Sequence, residues 1–356
     1  MAPAFHELKI IAVRKPSANS TALVFDIPPA LKGKFAFDPG QYLTLRTTID
    51  GDEVRRSYSI CSARSRSELA VGIKQVEDGL FSNHVLSLKP GDTLNVMEPQ
   101  GRFTAPLGGS HDYLLIAAGS GITPCLSIAR SVLEEEAESS ITLLYGNRSS
   151  STVMFLDEIN ALKDQHTGRF QLIHILSREQ SEPEFLNGHI DEKMIATLSD
   201  KKLIDIPRYD AAYLCGPQDM IRACTSGLLS RGMEQDRILF ELFGTTQHKG
   251  GRKKAETSPA NRAENAVSII IDGKRNTVPI DPQSETVLAA AQHAGMDLPF
   301  SCEGGMCCTC RCKILEGSAT MDVNYSLQKW EVEAGFTLAC QSRPDSKHLV
   351  LDFDAK

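Results

Sequence analysis

The sequence has no excess of basic residues and no long apolar run. Its 38 Lys and Arg face 45 Asp and Glu, a formal net charge of −7. Because binding to a phosphate backbone calls for a basic face, this charge argues against a general nucleic-acid-binding protein. Apolar segments such as 113–118 are far too short to span a bilayer. Residues 1–16 contain no apolar stretch of signal-peptide length, and we expect a cytoplasmic protein.

Patterns for an oxygen-activating metal are also lacking. There is no 2-His-1-carboxylate pattern and no Glu-x-x-His di-iron pattern, so we expect that the chain does not oxidise a substrate itself. Ten cysteines without a secretory signal indicate reduced thiols and metal ligands. The length of 356 residues predicts two or three domains.

The most informative cysteines lie near the C-terminus. Segment 302–310, CEGGMCCTC, has the spacing C-x4-C-x2-C, and Cys340 follows much later. This arrangement is typical of a plant-type [2Fe–2S] cluster. Gly304 and Gly305 would let backbone N–H groups approach the inorganic sulfides without a side chain between them.

Two alternatives to a cluster have to be weighed. Cys307 and Cys310 would also suit half of a zinc site, but no second C-x2-C or H-x3–5-H is present. A disulfide framework would need an oxidising compartment, to which nothing in the sequence points. Cys308 and Cys312 fall outside the spacing, and we interpret them as packing or shielding thiols. We therefore favour the cluster.

Residues 8–100 alternate short apolar segments with turn residues, which predicts a small antiparallel β-barrel. Within it, Arg56-Ser57-Tyr58-Ser59 could supply a phosphate partner, a stacking ring and a hydroxyl to a flavin. Taken alone this is a weak signal. It gains weight from Gly79-Leu80-Phe81-Ser82, where a glycine turn leads into a short predicted helix near 82–88.

From Tyr113 onward, buried strands alternate with helices, which predicts a parallel sheet with both faces covered. Ligands of such sheets bind beyond the carboxyl ends of the strands. Four candidate segments stand at these ends: Gly119-Ser120-Gly121-Ile122-Thr123-Pro124, Tyr145-Gly146-Asn147-Arg148, Ser177-Arg178 and Cys215-Gly216-Pro217. The first is a glycine turn before a helix and would suit a pyrophosphate.

In this order, these motifs resemble the ferredoxin–NADP reductase family. The resemblance implies FAD, with FMN in some relatives, and it places the family's flavin motif on Arg56, Tyr58 and Ser59. The second flavin-phosphate segment falls on residues 79–82, including Gly79, Phe81 and Ser82.

The same resemblance assigns the nicotinamide half. It puts the pyrophosphate on the Gly119 turn, the nicotinamide beside Cys215, and a 2′-phosphate on Ser177 and Arg178, so that NADPH is favoured over NADH. Arg178 could instead be a solvated loop residue. Glu241 and Phe243 match the carboxylate and the aromatic ring near the end of the module. The candidate catalytic residues are therefore Ser59, Cys215 and Glu241, although Glu241 could equally be an edge-strand carboxylate.

The last ninety or so residues resemble a plant-type ferredoxin. This resemblance implies a β-grasp fold of the α+β class and cluster ligation by Cys302, Cys307, Cys310 and Cys340. The predicted organisation has four parts: an FAD-binding barrel over 1–108, an NAD(P)-binding α/β domain over 109–243, a flexible linker over 244–264, and a [2Fe–2S] domain over 265–356.

A nicotinamide delivers two electrons as a hydride and a [2Fe–2S] cluster carries one at a time, so a flavin is the natural converter between them. The module order resembles the reductase subunits of multicomponent oxygenases, which implies di-iron oxygenase subunits as partner. Two other classes stay open: a redox-sensing or ferredoxin-type interaction protein, and a zinc-stabilised flavin reductase.

Overall fold

The computed structural model describes residues 4–66, 68–180, 182–243 and 265–355. These residues form two compact units, one within residues 6–243 and one within 265–355. The predicted linker 244–264 lies outside the described residues. None of the helices in the described ranges combines the length and the apolarity that a membrane crossing requires.

The first part of the larger unit is a six-stranded antiparallel barrel. Its strands run in the order β4-β3-β6-β1-β2-β5. The bridge between Ile60 and Val71 joins the two outer strands and closes the barrel. The strands are β1 (Phe5–Ser17), β2 (Ser20–Phe25), β3 (Tyr42–Ile49), β4 (Asp52–Ser59), β5 (Leu69–Lys74) and β6 (Thr93–Met97).

The barrel interior holds a tight apolar core in which Leu23, Leu43, Val71 and Phe81 are buried. The short helix predicted near 82–88 begins earlier. It is α1, Leu80–His84, and a 3-10 turn over Val85–Ser87 follows it.

The second part of the larger unit is a parallel sheet of order β11-β10-β7-β8-β9. Every adjacent pair is parallel. Its strands are β7 (Asp112–Ala118), β8 (Ser140–Asn147), β9 (Phe170–Leu176), β10 (Ala211–Gly216) and β11 (Ile238–Leu242). The intervening helices are α2 (Ile122–Glu135), α3 (Leu156–Gln165), α4 (Glu192–Asp200) and α5 (Gln218–Ser230).

Local sequence explains two of these helix starts. Pro124 lies in the first turn of α2, where its missing N–H has no intrahelical partner to lose. The Asp191 side chain accepts a hydrogen bond of 2.7 Å from the Met194 N–H and so caps α4.

Apolar side chains cover both faces of the parallel sheet, as the continuous hydrophobic strands predict. One of the two cores also contains barrel residues: Val24 and Ala70 share a cluster with Leu115 and Leu126. The barrel and the sheet therefore pack as parts of a single unit, and the predicted boundary between 108 and 109 stays a prediction.

The smaller unit is a mixed five-stranded sheet of order β13-β12-β18-β14-β16, with β15 and β17 paired beside it. In the main sheet β12 and β18 are parallel, and the pairs β12–β13, β14–β18 and β14–β16 are antiparallel. Its elements are β12 (Ala266–Ile271), β13 (Lys274–Pro279), α6 (Val287–His293), β14 (Arg311–Glu316), β15 (Ala319–Met321), α7 (Lys329–Glu333), β16 (Phe336–Leu338), β17 (Ser342–Pro344) and β18 (His348–Asp352).

One strand predicted in this unit is too long. The sequence pattern predicts a strand over 337–341, whereas β16 ends at Leu338. The Gln341 N–H then donates to the Leu338 carbonyl at 2.8 Å, and the Ala339 N–H donates to the Cys310 carbonyl at 3.0 Å. Cys340 therefore lies in a turn that is tied to the CEGGMCCTC segment.

Candidate functional sites

The residues of the predicted flavin motif lie at the end of β4. Arg56 is exposed, Tyr58 is half-buried and Ser59 is buried. The Tyr58 ring lies 5.7 Å from the Phe81 ring, centroid to centroid, and burial raises the pKa of its hydroxyl. One charged, one aromatic and one hydroxyl group are thus placed along a single strand, as a flavin site requires.

The segment after β5 contacts this strand through Phe81 and contains a tight turn at Gly79. The Ser82 hydroxyl donates to the Gly79 carbonyl at 3.3 Å and accepts from the Val76 N–H at 3.1 Å. A Cβ at Gly79 would lie 2.5 Å from the Ser82 oxygen. The turn therefore needs glycine, and its open backbone together with Arg56 and Tyr58 fits a bound flavin.

The glycine turn between β7 and α2 packs directly against β10. A Cβ at Gly121 would lie 2.1 Å from the carbonyl oxygen of Cys215, so only glycine permits this approach. The Thr123 hydroxyl donates to the Ser120 carbonyl at 3.0 Å, and the Tyr145 hydroxyl donates to the Gly119 carbonyl at 2.9 Å. These contacts hold the turn in a shape that suits a dinucleotide.

A lysine that the sequence reasoning missed lies beside this turn. The Lys74 ammonium nitrogen is 3.3 Å from the position that a Cβ would take on Gly119. Burial and the neighbouring charge of Arg148 lower the pKa of Lys74. Since Lys74 belongs to barrel strand β5, no spacing in the sequence connects it with a turn in the parallel sheet.

The three predicted catalytic residues come together where the barrel meets the sheet. The Ser59 hydroxyl donates to the Glu241 carboxylate at 3.1 Å, although 182 positions separate them. Glu241 pairs in register with Cys215 across β10 and β11. The structure therefore places all three at one junction.

The electrostatics of this junction favour neutral side chains. The Glu241 residue as a whole is partly exposed, but its carboxyl group is buried. This burial raises the pKa of Glu241 to about 7, and the bond from Ser59 opposes the rise. Burial likewise raises the pKa of the Cys215 thiol well above its ordinary value, with the charge of Glu241 adding to the effect.

The remaining strand ends form a second group at the same edge of the sheet. The Ser177 N–H donates to the Asn147 carbonyl at 3.0 Å, and the Arg178 N–H donates to the Arg148 carbonyl at 2.8 Å. Both arginines are exposed. The Phe243 N–H donates to the Gly216 carbonyl at 3.4 Å, which places Phe243 next to the exposed Pro217.

Three of the four candidate ligands of the smaller unit lie in the CEGGMCCTC segment, and the fourth, Cys340, lies in the turn tied to it. The Cys302 sulfur accepts from the backbone N–H groups of Gly304 and Cys307, each at 3.4 Å. A hydrogen bond from the Cys307 thiol and these N–H groups lower the pKa of Cys302 to about 6. The hydrogen bond of Cys310 to Cys340, together with burial, raises the pKa of Cys310.

The arrangement in pairs bears on the type of metal site. Among the described residues, no three His, Cys, Asp or Glu side chains are placed to hold a single metal ion. The thiols of Cys302 and Cys307 lie within hydrogen-bonding reach of each other, as do those of Cys310 and Cys340, so that four thiolates would be available to a binuclear cluster. The donor set therefore fits a [2Fe–2S] cluster.

The two further thiols of this segment differ in position. Cys312 is fully buried in the core of the unit, in agreement with a packing role. Cys308 is half-buried and has a left-handed backbone, with φ of +56°.

The fold and these sites define a flavin- and nicotinamide-dependent oxidoreductase with an iron–sulfur domain.

Comparison with family models supports this class. Residues 7–105 match the oxidoreductase FAD-binding domain, residues 115–226 the oxidoreductase NAD-binding domain, and residues 269–345 the 2Fe-2S iron-sulfur cluster binding domain. The three predicted modules and their cofactor classes are thereby confirmed.

Relatives that match over nearly the whole chain identify the family to which it belongs. The chain is 39% identical to one of the subunits of the 1,2-phenylacetyl-CoA epoxidase of Escherichia coli (strain K12), over 99% of this chain and 98% of the relative. It is 33% identical to the ferredoxin reductase component of 3-ketosteroid-9-alpha-monooxygenase from Rhodococcus rhodochrous, over 97% of this chain and 96% of that one. The chain belongs to the family of oxygenase reductases that join FAD-binding, NAD-binding and [2Fe–2S] domains.

A solved structure agrees with this assignment. Phthalate dioxygenase reductase, described as a modular structure for electron transfer from pyridine nucleotides to [2Fe–2S], matches with a TM-score of 0.60 and 25% identity. The match covers 98% of each chain. The predicted fold class of barrel, parallel sheet and ferredoxin domain is confirmed, whereas the individual site residues stay predictions.

Proposed function

We propose that this chain passes electrons from NADPH through FAD to its own [2Fe–2S] cluster and on to the di-iron oxygenase subunits of a phenylacetyl-CoA epoxidase. The observation that carries the proposal is 39% identity, over 99% of the chain, to one of the subunits of such an epoxidase. None of the ten cysteines, all within the described residues, forms a disulfide, which supports a reducing, cytoplasmic setting.

In the larger unit, we assign separate tasks to the two sides of the junction. Arg56, Tyr58 and the Gly79 turn would hold the flavin, which supplies the change from hydride to single electrons when bound. The Gly119 turn would hold the nucleotide pyrophosphate, with Lys74 and Arg148 neutralising its charge. Phe243, near Gly216, would cover the isoalloxazine ring of the flavin.

The junction residues would position the nicotinamide and hold a proton. Ser59 and Glu241 are already hydrogen-bonded, so the carboxyl group has a defined orientation before a nucleotide binds. Cys215, buried and neutral, would present an uncharged surface to the nicotinamide ring. In the smaller unit, Cys302, Cys307, Cys310 and Cys340 would ligate the cluster.

Preference for NADPH rests on the half-buried Ser177 and the exposed Arg178, which lie beside Arg148. Arg178→Ala should raise the KM for NADPH about tenfold, as expected for one lost charged hydrogen bond, and should leave the KM for NADH unchanged. Arg222→Ala, an exposed arginine on α5, is the matched control. Equal effects on both nucleotides would remove the assignment of a 2′-phosphate site.

The electron path is tested by anaerobic titration of the purified protein with NADPH, followed by visible and EPR spectra. Bleaching of the flavin followed by a rhombic signal from the reduced cluster is the expected result. A protein that contains iron and FAD but never shows the cluster signal would contradict transfer within the chain.

The partner is tested by reconstitution. With the oxygenase subunits of a phenylacetyl-CoA epoxidase, O2 and NADPH, we expect oxidation of phenylacetyl-CoA that depends on this chain. The relative from R. rhodochrous supports a second candidate, the reductase of another multicomponent oxygenase. Turnover of a 3-ketosteroid with its oxygenase, and none of phenylacetyl-CoA, would favour that candidate.

A further inference from the structure

A glutamine next to the fourth candidate ligand connects the two halves of the cysteine cage. Gln341 follows Cys340 directly and is only 8% exposed. Its side-chain nitrogen donates to the Glu303 carbonyl at 2.8 Å and to the Cys340 sulfur at 3.7 Å. A single amide group therefore links the turn that carries Cys340 to the loop that carries the other three cysteines.

The loop is shaped to receive this amide. Glu303 has a φ of +50°, a left-handed backbone that few residues with a side chain adopt, and its carbonyl is the group that Gln341 contacts. Gly305, with φ of +75°, leaves the space that the Gln341 side chain fills: a Cβ there would lie 3.2 Å from its Cγ.

The other side of Gln341 is anchored as well. Its backbone carbonyl accepts from the Asp322 N–H at 2.9 Å. The segment that follows Asp322 also holds the loop, because the Tyr325 N–H and the Ser326 hydroxyl donate to the Gly305 carbonyl at 3.2 and 3.1 Å. Gln341 is thus fixed in place, and its amide has little freedom to turn away from the cage.

We propose that Gln341 is a positioning residue that closes the cysteine cage and tunes the cluster through the Cys340 sulfur. An N–H group that donates to a ligand sulfur stabilises the extra negative charge of the reduced cluster and so raises its reduction potential. The bond to Glu303 holds the three-cysteine loop against the fourth ligand. The inference rests on the assignment of Cys340 as a ligand.

The test replaces the amide by a side chain of similar length without N–H donors, Gln341→Met. Two quantities are measured on the holoprotein: the cluster potential, by EPR-monitored redox titration, and the half-life of the cluster absorbance in a chelator. We expect a shift of the potential to more negative values. We also expect a half-life shorter by about fivefold, the effect of one lost hydrogen bond.

Two comparison variants separate the parts of the proposal. Gln292→Met makes the same chemical change on an exposed face of α6 and should alter neither quantity. Thr309→Val removes the 3.1 Å bond from the Thr309 hydroxyl to the Cys307 sulfur, but that bond spans only the three-cysteine loop. It should shift the potential and leave the half-life near that of the wild type.

The outcomes are unambiguous. If Gln341→Met has the wild-type potential, the proposal is overturned, whatever happens to the half-life, because general loosening of the domain would shorten the half-life alone. Should Gln341→Met fail to hold a cluster, Gln341→Leu, which also removes the N–H donors without adding a charge, is titrated under the same criterion. A Cys340→Ala protein with an unaltered cluster would instead refute the ligand assignment.

Discussion

The two redox sites of this protein are built in opposite ways. At the junction in the larger unit, backbone packs on backbone: the Gly121 turn meets the Cys215 carbonyl with no room for a methyl group. At the cysteine cage of the smaller unit, the left-handed residue Glu303 is held by a hydrogen bond from the Gln341 side chain to its carbonyl. The junction is therefore held by close backbone packing, and the cage by hydrogen bonds between loops.

The thiols show the same contrast. Burial keeps Cys215 and Cys125 protonated, since each pKa is raised above its ordinary value. At Cys302, by contrast, hydrogen bonds from the Cys307 thiol and from backbone N–H groups lower the pKa. Cys302 differs from these two core thiols because backbone N–H groups reach its sulfur.

The largest expected effect separates ligands from core thiols. Cys340→Ala should lose its iron almost completely, because the second thiol pair is broken, while NADPH still bleaches the flavin. Iron analysis and stopped-flow absorbance measure the two effects. Cys312→Ala is the control, since this buried thiol should cost about 1 kcal/mol of stability and retain the iron. Full iron content in Cys340→Ala would contradict the cage.

The second-largest expected effect concerns the close packing of the Gly121 turn against the Cys215 carbonyl. Gly121→Ala would force a methyl group against the Cys215 carbonyl, and neither backbone can move freely. We expect flavin reduction by NADPH to slow about 100-fold, which corresponds to about 3 kcal/mol. Dithionite should still reduce the cluster. Gly33→Ala, where the methyl group meets open space, should behave as the wild type, and a wild-type rate in Gly121→Ala would argue against a close-packed junction.

A smaller effect is predicted for the carboxyl group at the junction. With a pKa of about 7, Glu241 is neutral below that pH and ionised above it. An ionised carboxyl would stabilise the positive charge that nicotinamide gains on oxidation, so the rate of flavin reduction should rise with pH through about 7. Glu241→Gln should be about tenfold slower at pH 8 and lack this rise. An unchanged pH profile in the variant would remove Glu241 from the reaction.

The smallest effect concerns the contact between barrel and sheet. A Cβ at Gly72 would lie 2.6 Å from the Thr123 methyl group and 2.9 Å from the Phe155 ring, both side chains that can give way. Gly72→Ala should therefore raise the KM for NADPH about fivefold, equivalent to about 1 kcal/mol. Steady-state kinetics measure this change. A KM equal to that of the wild type would show that the Thr123 turn tolerates displacement.

Much of the architecture could be predicted because it depends on local periodicity and spacing. The parallel sheet, for example, is predicted from the alternation of buried strands with helices, and the observed strands β7 to β11 alternate with helices in this way. Three of the four candidate cage cysteines follow from the C-x4-C-x2-C spacing, and the resemblance to a plant-type ferredoxin implies the fourth, Cys340. The strand predicted over 337–341 is wrong beyond Leu338, because hydrogen bonds to distant Cys310 turn the chain there.

What the sequence determined by itself is the set of modules, their order and the residue types at each glycine turn and cysteine, because these signals lie within a few residues of one another. Only the tertiary structure decided which distant groups meet. The bond between Ser59 and Glu241, Lys74 beside Gly119, and Gln341 across the cage each join segments that no spacing relates. Such contacts depend on how whole strands pack, and packing is a property of the folded chain.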